Sequence, residues 1–138
     1  MLYFHNSVFR TLVFSICLDC VLPGPPLVPL DFIVFNHTQT SVSLRWKSNF
    51  PGGDFTQVFI LHYREQGTEN WETREYGDNP GGYVLAEITG LKAGTAYEFR
   101  VMARNDRTAG ERDGQFTQIM SRKTGTVYAF TCVNICML

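Results

Sequence analysis

Three histidines, four cysteines and a scatter of carboxylates are the side chains through which this chain could do chemistry. His5, His37 and His62 are far apart. His62 lies in QVFILHYRE on the face opposite Phe59, Leu61 and Tyr63, which predicts a solvated position for it. There is no Gly-x-Ser-x-Gly, and no cysteine falls between Val21 and Thr131, so neither a Ser/His/Asp nor a Cys/His arrangement can be built in that stretch. No glycine-rich loop carries the Lys-Ser/Thr of a phosphate cradle. Cys17-x-x-Cys20 and Cys132-x-x-x-Cys136 have spacings that a zinc site or a disulfide can use. Their flanks are apolar and lack the Gly/Lys texture of a zinc knuckle, so they are assigned no specific role. Glu72 and Glu75 fall on a polar segment, where they would solvate a strand and keep its edge from pairing with other chains. The expectation is a protein without catalytic residues, metal, cofactor or small-molecule substrate.

Two features point instead to recognition. Asn36-His37-Thr38 is an N-glycosylation sequon with no proline in the middle, expected in a turn between two strands. NDRTAGERDGQ (105–115) is a long polar loop carrying Asp106, Arg107, Glu111, Arg112 and Asp113. Mixed charge on a projecting loop can steer and select a partner, although each exposed pair adds little affinity.

The elements that must position these residues follow from composition and pattern. With 138 residues, one domain and short flanks fit. An apolar fraction of 44% and an aromatic fraction of 14% supply a core, which argues against disorder throughout. A formal net charge of -1 without a basic run argues against nucleic acid and against a polybasic membrane surface. No run reaches the ~18 uncharged apolar residues of a spanning helix. The chain divides into three zones: an apolar head (1–23), a central part (24–124) and an uncharged tail (125–138). In the head, Arg10 precedes an apolar run of only eight residues, TLVFSICL, before Asp19, and no small-residue cleavage site follows. The head therefore reads as an irregular or truncated end in preference to a secretory signal.

Period-2 alternation dominates the central part. It predicts strands at 30–36, 41–47, 57–65, 71–76, 83–89, 96–105 and 116–124. Val42, Leu44 and Trp46 share one face of the second, and Tyr97, Phe99, Val101 and Ala103 share one face of the sixth. Strands recur roughly every ten residues with no helical pattern between them, which predicts an all-β, seven-stranded antiparallel two-sheet sandwich. In that topology the loops 49–55, 77–82 and 105–115 converge at one end, and the sequon lies at the other.

PGPP before the first strand, Trp46 near the end of the second, and ITGLKAGTAYEFRVMARN (88–105) together resemble a fibronectin type III domain. The resemblance covers about residues 24–124. Its most specific part is the Leu91/Gly94/Thr95/Tyr97 spacing followed by alternating Phe99, Val101, Ala103 and Asn105; Ala93 stands where members often have proline. The resemblance implies an immunoglobulin-like fold with Trp46, Tyr63, Leu91 and Tyr97 as structural core. It also implies a tyrosine corner in which the Tyr97 hydroxyl satisfies a backbone acceptor near Leu91. Burying ~200 Å² of Trp46 contributes on the order of 5 kcal/mol at most. The loop reads Glu111-Arg112-Asp113-Gly114, not the Arg-Gly-Asp of integrin-binding members, and FTQIMSRKT lacks the Trp-Ser-x-Trp-Ser of cytokine receptors.

The texture of FPGGDFTQVFILHYREQGTENW (50–71) is similar to domains that follow immunoglobulin repeats in neural and nephrin-type adhesion proteins. The expected function is a non-catalytic protein–protein interaction module of a cell-surface adhesion or receptor-type protein, a fragment of a longer chain. Its expected partners are cell-surface or matrix proteins, with membrane attachment only through other parts of that chain. The alternative is a structural spacer in an intracellular filament or signalling protein.

Overall fold

The structure is a computed structural model that describes residues 24–50, 57–105 and 112–127. Its strands are β1 (Leu30–His37), β2 (Ser41–Lys47), β3 (Gln57–Glu65), β4 (Glu72–Gly77), β5 (Tyr83–Thr89), β6 (Ala96–Asn105) and β7 (Met120–Lys123). They form two antiparallel sheets, ordered β1-β2-β5 and β4-β3-β6-β7. The expected seven-stranded sandwich is the observed fold. The apolar head, the four cysteines, His5 and the tail beyond residue 127 lie outside the described residues.

Alternation decides which side chains meet between the sheets. Val42, Leu44 and Trp46 of β2, Val84, Ala86 and Ile88 of β5, Phe59, Leu61 and Tyr63 of β3, and Tyr97, Phe99, Val101 and Ala103 of β6 make one buried cluster with Leu91. Trp46 joins the sheets. Its ring meets Phe32 of its own sheet at 6.2 Å, and Phe59 and Tyr76 of the other at 5.8 Å and 5.5 Å, all edge-on. Edge-to-face contacts of this kind add to the burial of area.

β2, β3, β5 and β6 coincide with the pattern; the other three strands differ from it for local reasons. β1 runs one residue further because His37 still pairs with Val42. Asn36 and His37 therefore lie in the strand itself, and the turn is confined to Thr38–Thr40. Thr38 N–H donates to the Ser41 carbonyl at 2.9 Å, and the Thr38 hydroxyl accepts from the Ser41 N–H at 3.0 Å. β4 starts at Glu72, after Trp71. β7 is shorter than expected because Thr117 interrupts the ladder. The Val101 N–H goes to the Thr117 hydroxyl at 3.1 Å, so a side chain takes the place of a main-chain acceptor. Gly114 is required just upstream, since a Cβ there would sit 2.6 Å from the Pro26 carbonyl oxygen.

The corner between β5 and β6 holds the expected tyrosine, with one correction. The Tyr97 hydroxyl accepts from the Lys92 N–H at 3.0 Å, so the backbone group that depends on it is a donor. Thr124, 3% exposed, fastens β7 to the same corner: its hydroxyl donates to the Lys92 carbonyl at 2.7 Å and accepts from the Thr95 N–H at 3.0 Å. Beyond it, Gly125 N–H donates to the Thr38 carbonyl and Gly94 N–H donates to the Gly125 carbonyl, each at 2.8 Å.

Candidate interaction site

The register puts the ends of β2, β4 and β6 and the starts of β1, β3 and β5 near one another. Lys47 pairs with both Leu30 and Tyr83, Gln57 with Asn105, and Val58 with Gly77. A concavity of about 730 Å³ opens at this end, walled by Ser48, Phe50 and Gln57 on one side and Asp78, Pro80 and Gly81 on the other. The segments after β2 and after β4 are thus brought together as expected. Of the charged loop, Asp106, Arg107 and Glu111 lie outside the described residues. Arg112 and Asp113 are exposed, and they form the descending leg of that loop.

That leg is fastened to β6. The Asn105 N–H donates to the Arg112 carbonyl at 2.8 Å, and Gly114 N–H donates to the Ala103 carbonyl at 2.8 Å. The Arg104 guanidinium grips the Asp113 carboxylate at 2.5 Å and also approaches Glu75 at 3.6 Å. Hydrogen bonding to Asp113 pushes the Arg104 pKa further above its already high ordinary value. Asp113 is therefore a fastening of the loop base, not a free recognition charge.

A buried polar relay beneath the loops escaped the sequence reading. The Ser48 hydroxyl donates to Gln57 Oε1 at 2.9 Å, and Gln57 Nε2 donates to Asn105 Oδ1 at 3.2 Å. Gln57 is 3% exposed and Asn105 2%. Buried amides are tolerated when they find partners, and these two tie β2, β3 and β6 together under the loops. The signal was present: both are polar residues in the inward phase, Gln57 with Phe59 and Asn105 with Ala103.

The outer face of the four-stranded sheet also differs from expectation. His62 is half-buried there, its ring 4.6 Å from Phe116 and 6.1 Å from Trp71. Arg64 and Arg100 each place the guanidinium carbon 4.2 Å from the centre of the Trp71 ring, and Arg100 also lies 4.1 Å over Phe116. Arg64 is anchored to Glu98 at 2.7 Å. Burial, then the nearby Arg100 and Arg104, lower the His62 pKa. Cations held over aromatic rings are favourable, and here they cover the rings on this face. Among the carboxylates assigned to solvation, Glu72 accepts from the Tyr63 hydroxyl at 2.5 Å. Burial and that bond raise the Tyr63 pKa. β4 is an edge strand, as expected.

This architecture, two antiparallel sheets around one tryptophan with a tyrosine corner and a loop cluster at one end, is that of the immunoglobulin-like sandwiches. The fibronectin type III domain model matches residues 25–119, and the chain belongs to that family. It is 34% identical over 88 residues to the protein turtle of Drosophila melanogaster, covering 63% of this chain and 5% of that protein. It is 30% identical over 110 residues to the human cell adhesion molecule DSCAM, covering 80% of this chain and 5% of that protein. The chain thus spans a small part of these relatives. A solution structure of a fourth FNIII domain of a human protein superposes with a TM-score of 0.64 at 16% identity, covering 83% of this chain and 92% of that one, which is a likeness of fold.

Proposed function

We propose that the chain is a non-catalytic interaction module of a longer cell-surface adhesion or receptor-type protein, and that it engages protein partners through the loop end. The observation that carries this reading is the 30% identity, over most of the chain, to a cell adhesion molecule. The loop end supports it. A rigid base, fixed by the Ser48–Gln57–Asn105 relay and the Arg104–Asp113 pair, presents a concavity between the segments after β2 and after β4, and Asp106, Arg107 and Glu111 follow Asn105 of that base in the sequence. Loops on a rigid scaffold are where recognition is commonly placed, and partner choice follows from surface complementarity.

The test replaces 106–111 with a neutral Gly/Ser loop, sparing Asp113. Binding of the full chain to cells expressing candidate surface receptors is then measured alongside its melting temperature. Loss of binding with unchanged melting supports the docking end. Binding that survives the exchange moves the contact to a strand face.

A further inference from the structure

The outer face of the three-stranded sheet carries apolar side chains beside the sequon, Ile33 and Leu85, on either side of Arg45. Strand pairing lays out three rows across it: Leu30–Lys47–Tyr83, Ile33–Arg45–Leu85 and Asn36–Ser43–Glu87. The first row satisfies itself. The Tyr83 ring lies 4.5 Å from both the Lys47 ammonium and the Arg45 guanidinium, and its hydroxyl donates to Asp31 at 3.3 Å. In the second row Leu85 is 64% exposed, and Phe35, in the irregularity between Val34 and Asn36, is 50% exposed. The third row begins with Asn36. It is exposed, and its Oδ1 accepts from the His37 N–H at 2.9 Å, so the amide holds its conformation through its oxygen. Its Nδ2 makes no hydrogen bond to another described residue.

We propose that Asn36 carries an N-linked glycan whose first sugars lie over the Ile33–Leu85 row, closing this face of the sandwich to proteins while the loop end stays open. The inference rests on the extracellular reading above, because the transfer belongs to the secretory route. The Asn36 amide nitrogen bonds to the anomeric carbon of a lipid-pyrophosphate-linked oligosaccharide. The bond from that carbon to the pyrophosphate oxygen breaks, the lipid pyrophosphate leaves with the electron pair, and the amide loses one proton to the transferase. Thr38 supplies the required hydroxyl residue of the sequon.

Geometry then decides where the sugars fall. With strands about 4.8 Å apart and residues about 3.3 Å apart, Leu85 lies roughly 12 Å from Asn36 between Cα atoms, and Ile33 lies nearer on the same strand. Two pyranose rings reach that far. A pyranose has a hydrophobic C–H face and a hydroxyl rim, so it can cover Ile33 and Leu85 while its rim meets Ser43 and Glu87. Exposed apolar side chains grouped on one face otherwise invite association.

The test expresses the full chain behind a supplied secretory signal and measures intact mass before and after enzymatic removal of N-glycans. One glycan is expected on the parent and on Thr38→Ser, and none on Asn36→Gln. A mass unchanged by the enzyme overturns the proposal. Binding of a hydrophobic dye is then compared between the glycosylated protein and the same folded protein after glycan removal. Increased dye binding on removal, cancelled by Leu85→Ser, supports the covered face; equal dye binding overturns it. The supplied signal makes these outcomes independent of the native location.

Discussion

The two ends of the sandwich are closed by different physics. At the corner end, main chain meets main chain. Leu91 N–H donates to the Thr40 carbonyl, Gly125 bridges Thr38 and Gly94, and the Tyr97 hydroxyl and Thr124 hydroxyl take up the remaining corner groups. At the loop end, backbone bonds fasten the leg from Arg112 to β6, and side chains join the strands beneath. Trp46 plugs the core one residue before β2 ends, and the Ser48–Gln57–Asn105 relay spans three strands. The indole N–H of Trp46 has no hydrogen-bond partner among the described residues, and packing holds that plug. The difference separates two tasks. An end stitched through its backbone has its loop shapes committed, whereas an end joined from beneath by side chains is closed without them.

The comparison can be broken most sharply at the two aromatic anchors. Trp46→Ala should cost about 3–5 kcal/mol through loss of buried area and a residual cavity. Chemical denaturation of the full chain measures it, and a mutant curve overlaying the parent would remove Trp46 from the core. Tyr97→Phe keeps the ring and deletes the acceptor of the Lys92 N–H. The expected loss is about 1–3 kcal/mol, the penalty for stranding a backbone donor.

The relay gives a test of mutual dependence at the loop end. Asn105→Leu alone should destabilise by about 1–3 kcal/mol because Gln57 Nε2 is left buried without its acceptor. Adding Gln57→Leu should recover much of that loss, a coupling that a double-mutant cycle reads directly. Additive effects would mean that the two amides act separately.

The corner end is sharpened by its last stitches. We propose 24–124 as the independently folding unit. A piece ending at 127 should be more stable than one ending at 124 by about 1–2 kcal/mol, because Gly125 makes two backbone hydrogen bonds. Equal melting temperatures would show that those bonds are not needed to close the corner.

The smallest effect concerns His62. Its native pKa lies below the ordinary 6.5, so the unfolded chain binds more protons as the pH falls through that value. Stability should be level above about pH 6.5 and decline as acid approaches the native pKa. His62→Gln should flatten that part of the profile. A decline that persists unchanged in His62→Gln would assign the pH dependence to other groups.

Much of the fold was legible because alternation is local. Each of β2, β3, β5 and β6 shows its buried face in its own seven to ten residues, and Leu91, Gly94 and Tyr97 mark the corner within one short segment. The site was legible only in outline. Asp113 reads as one more loop charge until Arg104, nine residues away, closes on it. Gln57 and Asn105 read as ordinary polar residues until their strands pair. His62 has the phase of a solvated residue, and Trp71 that of a strand residue, until Arg64 and Arg100 close over Trp71 and Arg100 also over Phe116.

By itself, then, the sequence determined the strands, the inward faces, the tryptophan and the tyrosine corner, because each depends on spacing within one element. Tertiary structure decided what lies across strands. It made Asn36 a neighbour of the exposed row through Leu85, 49 positions on in the chain. It ended β7 at four residues by giving the Val101 N–H a threonine hydroxyl. It also turned a face expected to be wet into a stack of arginines and rings. The physical reason is register: side chains meet across a sheet only after remote backbones have paired, and no local pattern records which residue will stand opposite.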